Sequence, residues 1–197
     1  MSLLRAFVAI EIPNEIKKEI AGQTAGLQRA IAQSVRWVAP ENLHLTLKFL
    51  GDISSTNLGV LTQALETEAS QQAPFQITVG SLGAFPNMHR PRVIWIGLEA
   101  PPGLGKLQHS IDAATNRLGY SSDDKPFSGH LTIGRVRQQS SSAEMAGLRS
   151  ALEKTKVGLM GTFSAKSVHL FRSDLQPDGP IYTCLFTAAL GGRPFTR

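Results

Sequence analysis

Apolar residues recur along this chain with two different periods, and the switches between them mark out its elements. From Arg5 to Ile10, Phe75 to Phe85, Val93 to Leu98, Thr162 to Phe171 and Ile181 to Leu190, β-branched and aromatic residues run without helical spacing, which predicts strands. Gly80 and Gly83 inside the second of these predict a bulge. Elsewhere the apolar positions fall three or four residues apart, the spacing of one helical face. Ile16, Ile20, Leu27 and Ile31 form one such stripe, with Asn14 as its expected N-cap. Leu58, Leu61 and Leu65 form another, and Leu104, Leu107, Ile111, Ala114 and Leu118 a third. A fourth carries Met145, Leu148 and Leu152 behind the capping run Ser140-Ser141-Ser142. Pro101-Pro102-Gly103 is the strongest break between these segments, and Gln176-Pro177-Asp178-Gly179-Pro180 reads as a turn between the last two strands.

Two further apolar runs share an opening. His44-Leu45-Thr46-Leu47-Lys48-Phe49-Leu50-Gly51 follows Val35-Arg36-Trp37-Val38, and His130-Leu131-Thr132-Ile133-Gly134-Arg135-Val136 begins eighty-six residues after the first histidine. In a strand, residues two apart share a face, so each run presents one imidazole and one hydroxyl together, with Leu, Leu or Ile behind. Each half of the chain then shows the same order: a helix, a His-Leu-Thr strand, another helix and two strands. The fold expected is α+β and bilobal, with two pseudo-symmetric lobes of mostly antiparallel sheet, helices packed outside, and an active-site cleft between the lobes. Residues 1–197 form one such domain, with approximate halves 1–100 and 101–197.

Composition narrows this picture only slightly. A hydrophobic content of 42% is ordinary for a globular chain, and the net charge of +5 suits an anionic ligand. Cys184 is the single cysteine, which excludes an internal disulfide and a Cys-rich zinc site and fits the cytoplasm. The apolar run at the N-terminus is too short for a signal peptide, and nothing later approaches a membrane span. Disorder is expected only in loops and in the tail Gly191-Gly192-Arg193-Pro194. No Gly-rich phosphate loop or dinucleotide fingerprint opens a helix.

The chemistry therefore rests on the paired motifs. Of the five histidines, His89, His109 and His169 stand alone and read as ordinary surface or packed residues. His44 and His130 each come with a threonine on the same face. An imidazole titrates near pH 6.5, so one can be neutral while the other is protonated. That combination serves a displacement at phosphorus, where a base activates the nucleophile and an acid protonates the leaving oxygen. The threonine hydroxyls would donate to the non-bridging oxygens. A metal site would need a third ligand, and neither motif places Asp, Glu or Cys at a short ligand spacing, so no metal and no cofactor are expected.

With these residues in place, the chain resembles the two-histidine phosphoesterase superfamily, and within it the RNA 2',3'-cyclic phosphodiesterases, historically called 2'-5' RNA ligases. The likeness spans nearly the whole chain. It includes Arg5 to Ile10, Trp37-Val38 with Glu41 to Gly51, Arg92 to Gly97, Pro126-Phe127 with His130 to Val136, and Gly179 to Tyr182. Gly129 departs from it, standing where many relatives have proline before the second histidine. The resemblance implies hydrolysis of a 2',3'-cyclic phosphate to a 2'-phosphate, with His130 as general base, His44 as general acid, and Thr46, Thr132 and Arg135 on the phosphate. Strict alternation turns Arg135 away from His130, so its role requires that a bulge or the strand's end intervene, and Gly134 makes such a distortion inexpensive. Phe49, Phe127 and Tyr182 are expected to stack on bases, Trp37 either to stack or to pack in the core, and Lys48, on the His44 face by alternation, to contact RNA. The expected partners are RNA ends or small nucleotides bearing the cyclic phosphate, bound by a cytoplasmic monomer with no membrane contact. Ligation through a 2'-5' bond and non-catalytic binding of RNA ends are the competing readings.

Overall fold

Two antiparallel sheets carry the fold, as seen in a computed structural model that describes residues 3–177 and 179–191. Gly192, Arg193 and Pro194 of the expected disordered tail, and Asp178 of the last turn, lie outside the described residues. The first sheet runs β3 (His44–Ser54), β1 (Leu3–Glu11), β8 (Ser167–Gln176), β9 (Gly179–Ala189). The second runs β2 (Val35–Trp37), β6 (His130–Val136), β5 (Val93–Glu99), β4 (Phe75–Phe85), β7 (Gly161–Ala165). Every strand pair is antiparallel. Among the described residues the α-helices are α1 (Asn14–Ala30), α2 (Leu58–Ser70), α3 (Pro102–Arg117) and α4 (Ser142–Lys154).

Superimposing the strand orders matches β3 with β6, β1 with β5, β8 with β4 and β9 with β7, and leaves the three-residue β2 without a counterpart. The pseudo-symmetry expected from element order is therefore present in the sheets. The lobes do not follow the sequence halves 1–100 and 101–197, however. Strands β8 and β9 complete the sheet begun by β1 and β3, while β4 and β5 of the first half pair among β6 and β7 of the second. The last of the passages between the sheets is made where one continuous strand is expected. Thr162 to Phe171 is split at Lys166, with β7 on one sheet and β8 on the other. Both pieces are β-favouring, so composition alone does not mark the junction.

The helices form where the stripes predict them and bury those stripes. Ile16, Ile20 and Leu27 of α1, Leu61 and Leu65 of α2, Leu104, Leu107 and Ile111 of α3, and Leu148 and Leu152 of α4 join one continuous core with strand residues of both sheets. Helices α2 and α3 pack together, α2 against β8 and β9 and α3 against β3, while α1 contacts α4 and β7. Ser141 caps α4 in a full capping box with Glu144. Asn14 does not cap α1. It is the first helical residue, preceded by Pro13, which has no side-chain acceptor to offer. Leu118 closes the α3 stripe at the C-cap and is 36% exposed.

Candidate active site

Each motif strand turns its leucines and isoleucine into the core and its histidine and threonine the other way. Leu45, Leu47, Leu131 and Ile133 are buried, whereas His44, Thr46, His130 and Thr132 are half-buried. Strands β3 and β6 lie against each other, which brings the two histidine-bearing strands to the seam between the sheets. His44 Nδ1 lies 2.7 Å from the Asn42 carbonyl, and His130 Nδ1 lies 2.7 Å from the Ser128 carbonyl. A carbonyl only accepts, so each Nδ1 carries hydrogen and donates. Each Nε2 is then left to take up a proton or, once protonated, to give one. Among the described residues neither threonine hydroxyl has a hydrogen-bond partner of its own.

A bulge follows each motif, in the same place. On β6 the register with β5 shifts at Ile133, so that His130, Thr132 and Arg135 stand opposite Gly97, Trp95 and Val93. Those three alternate regularly along β5, and Arg135 therefore shares the face of His130 and Thr132. On β3 the register with β1 shifts at Leu47, and His44, Thr46 and Phe49 stand opposite Glu11, Ala9 and Phe7. Phe49 is thus the pseudo-symmetric counterpart of Arg135. It is 56% exposed on the site face, where a ring can meet a ligand.

The same shift corrects the expectation for Lys48. Strict alternation places it beside His44, but the bulge at Leu47 turns it inward. Lys48 is 2% exposed, and its ammonium donates to Asp112 Oδ1 at 2.6 Å and to the Ser121 carbonyl. It is a buried tie between β3, α3 and the loop before β6, and it has no access to RNA. The Asp112 carboxyl in turn sits below its usual range, because hydrogen bonds from Lys48 and Ser122 outweigh its desolvation. Phe127 is half-buried against the main core, its ring near Gly129, which precedes His130. Trp37 takes the packing role, lying over Gly134.

Aromatic rings hold both imidazoles. Phe7 stacks on His44 with centroids 4.6 Å apart, and Tyr182 meets His44 edge-on at 5.2 Å. Phe85 meets His130 edge-on at 4.9 Å, with Trp95 tilted at 6.5 Å. Of these, only Tyr182 was legible as a site residue. Phe7 lies in a run buried on both faces, which gives no alternation to show which residues face the cleft. Burial lowers the pKa of His44 and Lys17 adds to this, against the opposing hydrogen bond to Asn42. Burial raises the Tyr182 hydroxyl, while the charges of Arg135 and Arg5 draw it down, so Arg135 of one sheet acts on a ring of the other.

A cavity of about 350 Å³ opens beside His44, lined among others by Phe7, Glu11, Lys17, Asn42, Phe171 and Tyr182. His130 lies outside this lining, on the other sheet. The remaining histidines behave as expected for solitary ones. His89 and His109 are exposed, and His169 is buried with hydrogen bonds to the Ser167 and Thr187 hydroxyls at 2.9 and 3.0 Å. No helix among the described residues is long and apolar enough to cross a membrane.

The chain matches the family model described as LigT like phosphoesterase twice, over residues 10–95 and 96–182, one copy around each motif. It is 35% identical over 180 residues to an RNA 2',3'-cyclic phosphodiesterase of Methanothermobacter thermautotrophicus, covering 91% of this chain and 95% of that one. Among solved structures it superimposes on a protein of Thermus thermophilus with a TM-score of 0.78 at 28% identity, covering 96% and 99% of the two chains. Escherichia coli LigT complexed with 3'-AMP gives a TM-score of 0.73 at 27% identity over the same shares.

Proposed function

The chain belongs to the LigT-like phosphoesterase family, and from that premise we propose that it hydrolyses 2',3'-cyclic phosphate ends of RNA to 2'-phosphates. The observation that carries this reading is the matched pair of imidazoles. Each is tied through Nδ1 to the carbonyl two residues upstream and stands beside a threonine hydroxyl with no partner among the described residues. Two proton-transfer groups and two neutral donors on adjoining strands are what an in-line displacement at phosphorus uses.

In this mechanism His130 Nε2 takes a proton from water as its oxygen attacks phosphorus. The bond from phosphorus to O3' breaks, and His44 Nε2–H delivers its proton to that oxygen. Thr46 and Thr132 donate to the non-bridging oxygens, and Arg135 stabilises their charge with its guanidinium. Phe49 and Tyr182 contact the base. One chain supplies both histidines, which supports a monomer as the working unit, and the single cysteine suits the cytoplasm.

The test is to incubate the purified protein with 2',3'-cyclic AMP in EDTA and separate 2'-AMP from 3'-AMP. Accumulation of 2'-AMP is expected. Accumulation of 3'-AMP, or turnover only after a divalent ion is restored, would overturn the mechanism. The two histidine roles separate on adenosine 2'-(p-nitrophenyl phosphate), whose leaving group needs no proton. His44→Ala should regain activity there and His130→Ala should not, and the reverse pattern would exchange the roles.

A further inference from the structure

The strand that breaks the pseudo-symmetry is β2, and its outward residue is an arginine. In this three-residue strand Val35 is buried and Trp37 lies over Gly134, so only Arg36 faces out, and it stands directly opposite Arg135 in the β2–β6 ladder. Residues so paired have side chains on one face about 5 Å apart, and like charges in that position repel. Arg137 continues the row, its N–H donating to the Ser34 carbonyl at 2.9 Å. Arg36, Arg135 and Arg137 are all exposed. Among the described residues none of them joins an ion pair, and none of their guanidiniums donates a hydrogen bond. Three unneutralised guanidiniums on one face at the corner of a sheet are more than a single phosphate needs. The corresponding position of the other sheet carries no added strand, and Phe49 in place of an arginine.

We propose that Arg36, with Arg137, forms a second phosphate subsite beside Arg135, which holds the internucleotide phosphate next to the cyclic end of an RNA chain. The proposal rests on the phosphodiesterase reading and narrows its substrate. When the cyclic phosphate lies between the two histidines, the nearest other anion of an RNA end is the phosphate on O5' of the same ribose. A mononucleotide 2',3'-cyclic phosphate lacks that group. The subsite therefore selects oligonucleotide ends over free cyclic nucleotides, and β2 is the device that adds it to an otherwise two-fold scaffold.

The experiment compares three substrates with one terminal adenosine: 2',3'-cyclic AMP, an RNA tetramer ending in the same cyclic phosphate, and that tetramer with a neutral methylphosphonate as its last internal linkage. The wild-type protein should favour the charged tetramer by about tenfold or more in kcat/KM, the scale of one charge-assisted contact, and the neutral linkage should abolish the preference. Arg36→Gln should cost about tenfold on the charged tetramer and little on the other two. It should also flatten the dependence of log(kcat/KM) on log salt by about 0.7 for the tetramer. Affinities for the 2'-phosphate products, 2'-AMP and the matching tetramer, read the subsite without turnover. A protein that hydrolyses neither substrate but binds the tetramer product more tightly through Arg36 would sink the hydrolytic reading and keep the subsite. Equal handling of mononucleotide and tetramer, or an Arg36→Gln loss of the same size on all three substrates, would overturn the subsite.

Discussion

His44 and His130 hold the same bond to the backbone but not the same surroundings. Phe7 and Tyr182 enclose His44, and burial together with Lys17 lowers its pKa from 6.5. A lowered pKa means that the proton leaves His44 at a pH where an ordinary imidazole still holds it. The limb of the kcat/KM profile that reports His44 in the free protein should therefore lie below pH 6.5, whichever role the residue takes. An NMR titration of the His44 ring in the free protein gives the same quantity directly, and a midpoint above 6.5 would contradict the burial argument. The second residue whose surroundings decide its role is Lys48. Its ammonium is enclosed with Asp112 as counter-ion, whereas the Asp112 side chain keeps 21% of its exposure and a hydrogen bond from Ser122. Removing either partner leaves a charge behind, but only Lys48 would be left sealed from water. Asp112→Ala should thus destabilise by about 3 kcal/mol or more and Lys48→Met by clearly less, as read from urea unfolding. Equal losses would mean that the ammonium reaches solvent.

At the scale of the element, the site is made by two bulges. Leu47 and Ile133 each occupy an extra position, and the residue two further on returns to the face of the histidine. The two motif strands were legible from composition, and so were the four helices, whose apolar stripes are the ones buried, whereas the three-residue β2 was not. The bulges were half legible. Gly134 gave a reason to expect one before Arg135, while Leu47-Lys48-Phe49 reads as regular alternation and misplaced Lys48. A bulge is a fact about two paired strands, and the partner β1 is far away in the chain and apolar on both faces. Gly134 has a second duty that its neighbours did not reveal. A Cβ there would lie 2.7 Å from Val35 Cγ1 and 3.1 Å from Trp37 Cε3, so β2 must shift to admit one. Gly134→Ala should destabilise by about 1–3 kcal/mol, the usual cost of overpacking. It should also lower kcat/KM, because the displaced ladder carries Arg135. A fully stable Gly134→Ala protein with unchanged turnover would show that β2 gives way freely.

At the scale of the whole molecule, the repeat in the sequence and the lobes in space divide the chain differently. The family model and the two motifs repeat across the break near residue 96, yet each sheet is assembled from strands on both sides of it. No local pattern announces this exchange, because Thr162 to Phe171 is equally strand-like before and after Lys166. Its energetic consequence is that neither half is a folding unit. A fragment of residues 1–100 would leave β1 without β8 and β5 without β6, exposing unpaired edges and the apolar face under α3. The continuous core binds the two sheets to the same helices, so they should unfold together. The tryptophans offer a direct check, since Trp37 and Trp95 both lie on the sheet of His130, whereas far-ultraviolet circular dichroism reports both sheets and all four helices. The urea transitions followed by these two probes should coincide, as cooperative unfolding requires. Fragments 1–100 and 101–197 should each be unfolded alone and should recover structure, and with it hydrolysis of 2',3'-cyclic AMP, when mixed. A tryptophan transition separated from the circular dichroism transition, or a fragment that folds by itself, would show that the lobes are independent after all.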